Sequence, residues 1–178
     1  NLWVGTFQGL NILSPQALTD LRAGRKADFK ILRADPEGTG LHNSSILKIL
    51  QTRDGQIWVG TLFGLHRWQA AQKRFEFFGP DTNSIGSLNG RSVRTLLEDQ
   101  HGNLWIGTNG GLNRLAVDKL QDETLSFESI PVEHPMVMSL AMDSTYRIWI
   151  GFSGGGVSVW ERDQAVRNFK AEDQIGLP

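Results

Sequence analysis

The chain has no cysteine, so no disulfide holds it together and its stability rests on a packed core and hydrogen bonds. That absence leaves the redox compartment open. No apolar run approaches the roughly 18 residues needed to span a membrane. Basic and acidic side chains number 18 and 19, for a net charge of −1 with no long block of either sign, which argues against a nucleic-acid surface. Histidine is scarce. His42, His66, His101 and His134 fall at unrelated places without metal-ligand spacing, and they read as solvated loop and strand residues. No nucleophile motif of the G-x-S-x-G type occurs. The "SGGG" at 153–156 lies between strands rather than opening a helix, so it does not suit a phosphate cradle. The expectation is therefore no catalytic residue, no metal and no cofactor. Asn1 is not an initiating residue and no signal-peptide pattern follows it, so the start reads as processed or cut from something longer.

What the chain has is repetition. Hydrophobic content of 39% with 21% charged residues fits a folded domain rather than a disordered one. Four segments are near-copies: "LWVGTFQGLNIL" at 2–13, "IWVGTLFGLHRW" at 57–68, "LWIGTNGGLNRL" at 104–115 and "IWIGFSGGGVSVW" at 148–160. Their tryptophans, Trp3, Trp58, Trp105 and Trp149, are separated by 55, 47 and 44 residues. A period of about 40–50 residues without helical periodicity, written in short β-branched and aromatic runs, indicates β-propeller blades.

The third unit parses into strands at Val93–Leu97, Leu104–Thr108, Gly111–Leu115 and Phe127–Ile130. Its first hairpin turn, "EDQHGN", and the shorter "RDGQ" of the second unit supply the glycine that a positive φ needs. The fourth unit has "DSTYR", with Tyr146 in the glycine's place, and this hairpin is expected to be less ideal. Asp99 and Asp143, six residues before their tryptophans, read as turn caps. The insertion "SPQALTDLRAGRKAD" at 14–28 predicts a short helix, with Ser14 capping, Pro15 at its first position and Gly24 as its stop.

The fold expected is all-β: a β-propeller fragment of about four blades, each a four-stranded antiparallel meander. The first blade lacks its first strand, so about 15 strands are expected. A single partial domain over 1–178 has blades near 1–32, 45–78, 92–130 and 136–170. Trp3, Trp58, Trp105 and Trp149 are expected to fill the space between blades. Gly5, Gly60, Gly107 and Gly151 leave room for a neighbouring blade. Trp68 and Trp160 fit either core or rim. "GLP" at 176–178 matches "GLH" at 40–42, the approach to a new first strand, so the chain reads as part of a longer array.

The third unit carries the fullest pattern: Asp99, Gly102, Leu104, Trp105, Ile106, Gly107, Thr108, Gly111, Leu112, Asn113 and Arg114. This pattern resembles the two-component regulator propeller repeat, as does the Ser- and Asn-rich "DTNSIGSLNGRSV" leading into it. The fourth copy departs, with Phe152 for threonine and one extra residue. The resemblance implies a periplasmic sensor region of a membrane-anchored histidine kinase, hybrid regulator or diguanylate cyclase. It implies a small extracellular ligand such as an oligosaccharide, and no catalysis by the propeller itself. A protein-interaction scaffold is the alternative, followed by a propeller enzyme of streptogramin lyase or glycosidase type.

The residues leading into first strands are the candidate ligand contacts: Asn43, Ser44 and Ser45, then Asn89 and Arg91, with Arg91 suited to an anion. For any single one of them, turn chemistry is the better explanation. No contact with nucleic acid or membrane is expected, while exposed blade faces predict self-association.

Overall fold

The computed structural model describes residues 1–81, 84–122, 124–161 and 164–169. They form four antiparallel sheets and one α-helix. The first sheet has three strands: β1 (Leu2–Thr6), β2 (Gly9–Leu13) and β3 (Lys30–Leu32). The second has β4 (Ile46–Gln51), β5 (Ile57–Thr61), β6 (Leu65–Gln69) and β7 (Arg74–Phe78). The third has β8 (Val93–Glu98), β9 (Leu104–Thr108), β10 (Gly111–Leu115) and β11 (Glu128–Ile130). The fourth has β12 (Val137–Met142), β13 (Ile148–Phe152), β14 (Val157–Glu161) and β15 (Gln164–Phe169). The expected end of the fourth blade at Lys170, and the "GLP" at 176–178, lie outside the described residues. Each sheet is a meander in which sequential strands pair, as a propeller blade requires. The sheets group into two compact units, Asn1–Phe78 and Gly79–Pro178.

The expected helix is α1 (Pro15–Arg22), and the Ser14 hydroxyl accepts from the Ala17 N–H at 3.1 Å. Gly24 follows at φ +70°. The first hairpin turns place Gly55 and Gly102 at φ +88° and +89°, and Tyr146 takes the same left-handed conformation at φ +65°. An L-residue there is strained, yet the turn closes with the same two backbone bonds as the others, Asp143 N–H to Arg147 at 3.1 Å and Tyr146 N–H to Asp143 at 2.9 Å. The threonine of each "GT" has a local purpose. Its hydroxyl spans the next turn to a glycine carbonyl: Thr6 to Gly9 at 2.9 Å, Thr61 to Gly64 at 3.1 Å and Thr108 to Gly111 at 2.9 Å. Phe152 has no hydroxyl to do this, and its longer turn instead holds Gly154, Gly155 and Gly156 all at positive φ.

Within each unit one sheet packs its tryptophan strand on the next sheet. In the first, Leu10, Leu32 and Leu41 join Ile46, Val59 and Phe75 in a core, with Trp3 and Trp68 against it. In the second, Trp105, Leu112 and Ile130 meet Val137, Ile148 and Ile150. The two cores repeat a tryptophan pair: Trp3 is edge-on to Trp68 at 5.4 Å, and Trp105 to Trp160 at 5.6 Å. Third-strand tryptophans thus complete an inter-sheet contact while staying half-buried. A Cβ on Gly5 would strike Ile46, and one on Gly107 would strike Val137, each a first-strand residue of the following sheet. Gly151 is different, because there the obstacle is Ser139 of its own sheet.

Uniform burial of the four repeat tryptophans is not what the structure has. Trp58 and Trp105 are fully buried, whereas Trp3 and Trp149 are only half-buried. Trp3 sits on the outermost strand of a three-stranded sheet. The Trp149 ring stacks on Phe169 of its own sheet at 6.1 Å.

Trp105→Ala should therefore cost about 3–5 kcal/mol, the range for a buried aromatic in a well-packed core, read as a lower urea midpoint. Tyr146→Gly should raise stability by about 1 kcal/mol through relief of the left-handed strain. The same titration checks both.

Candidate functional site

The residues leading into first strands make hydrogen bonds that close turns and join strands. In the first unit the Asn43 side chain accepts from the Ser45 N–H at 2.9 Å, and the Ser44 hydroxyl accepts from the Ala34 N–H at 2.9 Å. The Ser45 hydroxyl donates to the Phe7 carbonyl at 3.2 Å. In the second unit the Asn89 carbonyl oxygen Oδ1 accepts from Thr108 at 3.1 Å and from Asn113 at 2.6 Å. Its amide donates to Ser129 at 3.2 Å, while its backbone N–H donates to the Asn113 side chain at 3.1 Å. Arg91 lies exposed two residues on. Asn89, Asn113, Thr108 and Ser129 therefore form one polar cluster. Asn43, Ser44 and Ser45 hold a different segment, in the other unit.

His66 corrects the reading of the histidines as solvated. It is fully buried, and its Nε2 accepts from the His42 N–H at 3.0 Å. This repeats the backbone bond from Asn89 to Asn113, over the same 24-residue offset. Burial, assisted by the neighbouring His42, pushes the His66 pKa down to about 3, so the ring is neutral. With Nε2 accepting, the proton resides on Nδ1, which is buried without a close hydrogen-bond partner among the described residues. The His42 ring stacks on Phe77 at 3.8 Å, and Phe77 stacks on Phe63 at 5.5 Å.

A cavity of about 740 Å³ lies in the second unit between the third and fourth sheets. The turns following β8 and β12 contribute His101, Tyr146 and Arg147, and the strands contribute Trp105, Arg114 and Trp160. Register explains the arginine. Trp105, Arg114 and Glu128 are direct cross-strand partners, so the guanidinium sits 5.7 Å from the indole and donates to Glu128 at 2.9 Å. Trp58, Arg67 and Glu76 form the same row in the first unit. Arg147 is held differently: Asp143 accepts from its Nε at 2.7 Å, and its guanidinium lies 5.5 Å from Trp149.

Asp99 and Asp143 do cap their turns, accepting from backbone N–H groups of His101, Asn103, Thr145 and Arg147. Each also accepts from its tryptophan indole at 2.8 Å, a role that spacing alone did not reveal. Burial would raise the Asp99 carboxyl. Hydrogen bonds from Trp105, Asn103 and the turn outweigh it and hold the group below the usual carboxylate range. Asp143 is held low first by Trp149, against desolvation, then by Arg147 and Thr145. In the second sheet Thr52 occupies the corresponding position, and the buried Trp58 Nε1 has no hydrogen-bond partner among the described residues. The cavity thus offers aromatic surface, two oriented guanidinium groups and firmly ionised carboxylates, an arrangement suited to binding.

His66 supplies a pH test. Its folded pKa of about 3 lies below the unfolded value near 6.5, so between these the unfolded chain takes the proton first. Its contribution to stability is complete above about pH 6.5 and is lost progressively as pH falls toward 3. His66→Asn keeps an acceptor for His42, as Asn113 does for Asn89, but cannot titrate. The variant's urea midpoint should fall less steeply than that of the parent chain between about pH 7 and 5, above the carboxylate range.

Residues 40–63 and 87–110 match the family described as two component regulator propeller. No curated protein matches the chain. Among solved structures it is similar to the extracellular domain of a hybrid two-component system from B. thetaiotaomicron. Identity is 26% and the TM-score 0.74, over 98% of this chain and 22% of that one. The extracellular domain of a second such system from the same organism shares the fold, at 21% identity and TM-score 0.70, over 93% and 21%. Virginiamycin B lyase from Staphylococcus aureus shares the fold at 11% identity and TM-score 0.59, over 92% and 49%. The chain spans about a fifth of the length of the two extracellular domains. Two of its four repeats thus match the two-component regulator propeller, and the recurrent Trp-x-Gly strands and the four meanders are similar to those of such extracellular propellers.

Proposed function

We propose that the chain is part of a ligand-sensing propeller in the periplasmic region of a bacterial signal-transduction protein, of two-component or cyclic-di-GMP type. The observation that carries this reading is the similarity over 98% of the chain to the extracellular domain of a hybrid two-component system. No helix among the described residues is long and apolar enough to cross a membrane, so anchoring falls to other parts of such a protein.

The cavity between the third and fourth sheets is the site assigned to the ligand. Its half-buried Trp160 and exposed Tyr146 suit stacking on a sugar face, and Arg147 and His101 supply donors at the rim. An oligosaccharide is the ligand class favoured. The carboxylates favour binding over general-acid catalysis. A general acid needs a raised pKa, whereas Asp99 and Asp143 are both held low. Arg91 and Asn89 are assigned a secondary role at the opposite ends of the same strands.

Thermal shift against a panel of neutral and acidic oligosaccharides tests the reading. Ligand at about 100 times its Kd adds roughly 2.7 kcal/mol of stability, so a hit should raise Tm clearly. Tyr146→Ala and Arg147→Gln should abolish the shift while leaving the ligand-free transition cooperative. A shift unchanged in both variants would remove the ligand from this cavity. Glycoside turnover lost in Asp99→Asn would replace the sensor with an enzyme. A pulled-down protein partner without any sugar hit would favour a scaffold.

A further inference from the structure

Three first hairpins close with the same backbone bonds, so their side chains can be compared position by position. Thr52 and Gln56, Asp99 and Asn103, and Asp143 and Arg147 pair across the turn, and the N–H of Gly55, Gly102 or Tyr146 donates back to the first of each pair. Glycine meets that geometry at φ +88° and +89°, and tyrosine meets it only against left-handed strain. Gln56 and Asn103 engage their side-chain amides inside their own sheets, on the Trp68 carbonyl and on Asp99, each at 2.8 Å. Arg147 reaches Asp143 through Nε at 2.7 Å, so it makes the bond that Asn103 makes, with a longer side chain.

The fourth turn therefore holds more than closure requires. Beyond Nε, both Nη atoms of Arg147 are without a hydrogen-bond or ion-pair partner among the described residues, and the side chain is 40% exposed. Tyr146 is 58% exposed, and its ring and hydroxyl touch no aromatic ring and no polar partner among the described residues. Both side chains line the 740 Å³ cavity beside Trp160. A strained tyrosine where glycine suffices stands next to an arginine where asparagine suffices. Strain and surplus donors at one mouth of a cavity mark a binding function, because neither serves the turn.

We infer that Tyr146 and Arg147 select a saccharide that carries a single carboxylate, a uronic acid, in this cavity. The inference rests on the reading that places a saccharide there. The two Nη groups of one guanidinium match the two oxygens of a planar carboxylate. Asp143 holds Nε and so fixes the guanidinium plane before the ligand arrives, which lowers the ordering cost of binding. Tyr146 and Trp160 present ring faces to the sugar. Asp99 and Glu161 line the same cavity, and their negative charge repels further anions. A uronate among neutral sugars fits these charges, and a densely sulfated chain does not.

Tyr146 is the chain's single tyrosine, so ring-labelled tyrosine gives NMR signals from this site alone. The probes are disaccharides ending in glucuronate or galacturonate, their methyl esters and their neutral hexose counterparts, titrated into the whole chain. Saturable movement of the Tyr146 signals is expected with at least one acid, whose ester and hexose counterpart bind about tenfold more weakly or worse. Arg147→Asn copies Asn103, and it should reduce the acid to the affinity of its ester while the urea midpoint stays unchanged. Tyr146→Gly copies Gly102, and calorimetry should show all the sugars weakened while the midpoint rises. Lys119→Gln, outside the cavity, should bind as the parent does. Equal binding of acid, ester and hexose overturns the uronate and leaves the oligosaccharide reading standing. An acid preference that survives in Arg147→Asn, or a midpoint that collapses there, overturns the role given to Arg147. Tyr146 signals that no saccharide moves overturn the inference together with the reading beneath it.

Discussion

The contact on which the molecule depends is that between the tryptophan strand of one sheet and the first strand of the next. Gly5 and Gly107 lack a Cβ where Ile46 and Val137 approach, so the backbones come close, and beside Gly107 the Trp105 indole is enclosed. Trp105 and Trp160, like Trp3 and Trp68, then meet edge to face, the arrangement the ring quadrupoles favour. An alanine at either glycine would push the sheets apart and expose both rings. The apolar periodicity of the strands serves this one approach, since a first strand must present an aliphatic face to its partner and to the preceding sheet.

Hydrogen bonding does the complementary work inside each sheet. Asp99 gathers two backbone N–H groups, the Asn103 side chain and the Trp105 indole, so the hairpin turn and the tryptophan side chain are fixed by one carboxylate. Where threonine replaces it, the Thr52 hydroxyl and Asp54 close the turn instead, and the indole N–H of Trp58 has no hydrogen-bond acceptor among the described residues. The arginine that follows two strands later crosses the indole face and ends on a glutamate. Turn, strand and third strand are thereby coupled through the tryptophan.

Much of this was legible in the residues. Trp-x-Gly, the Asp and Gly of the turns, and the Ser-Pro before the helix each carry a local geometric requirement, so they mark strands, hairpins and α1 directly. Tyr146 was visible as the poor member of its series for the same reason. Burial of individual tryptophans was not legible, because it depends on contacts made outside the motif, and Trp3 and Trp149 share their motif with Trp58 and Trp105. His66 was misread as solvated. Its environment comes from strands distant in sequence, and the clue was the shared 24-residue offset of His42–His66 and Asn89–Asn113. The cavity was equally invisible, being a gap between two sheets rather than a motif. The candidate Asn and Ser residues were found where turn chemistry needs them, already hydrogen-bonded.

The aspartate, tryptophan, glycine, threonine and arginine of the third sheet all lie between Asp99 and Arg114, and their polar bonds close largely within that sheet. Such a segment carries its own hydrogen-bond partners wherever it is copied. A tandem duplication in the gene would deliver a sheet whose turns form without compensating changes elsewhere. Only the aliphatic residues facing neighbouring sheets would need to stay in step. Growth and shortening of such arrays during descent is then governed by side-chain volume between copies, while the polar grammar of each copy is inherited intact.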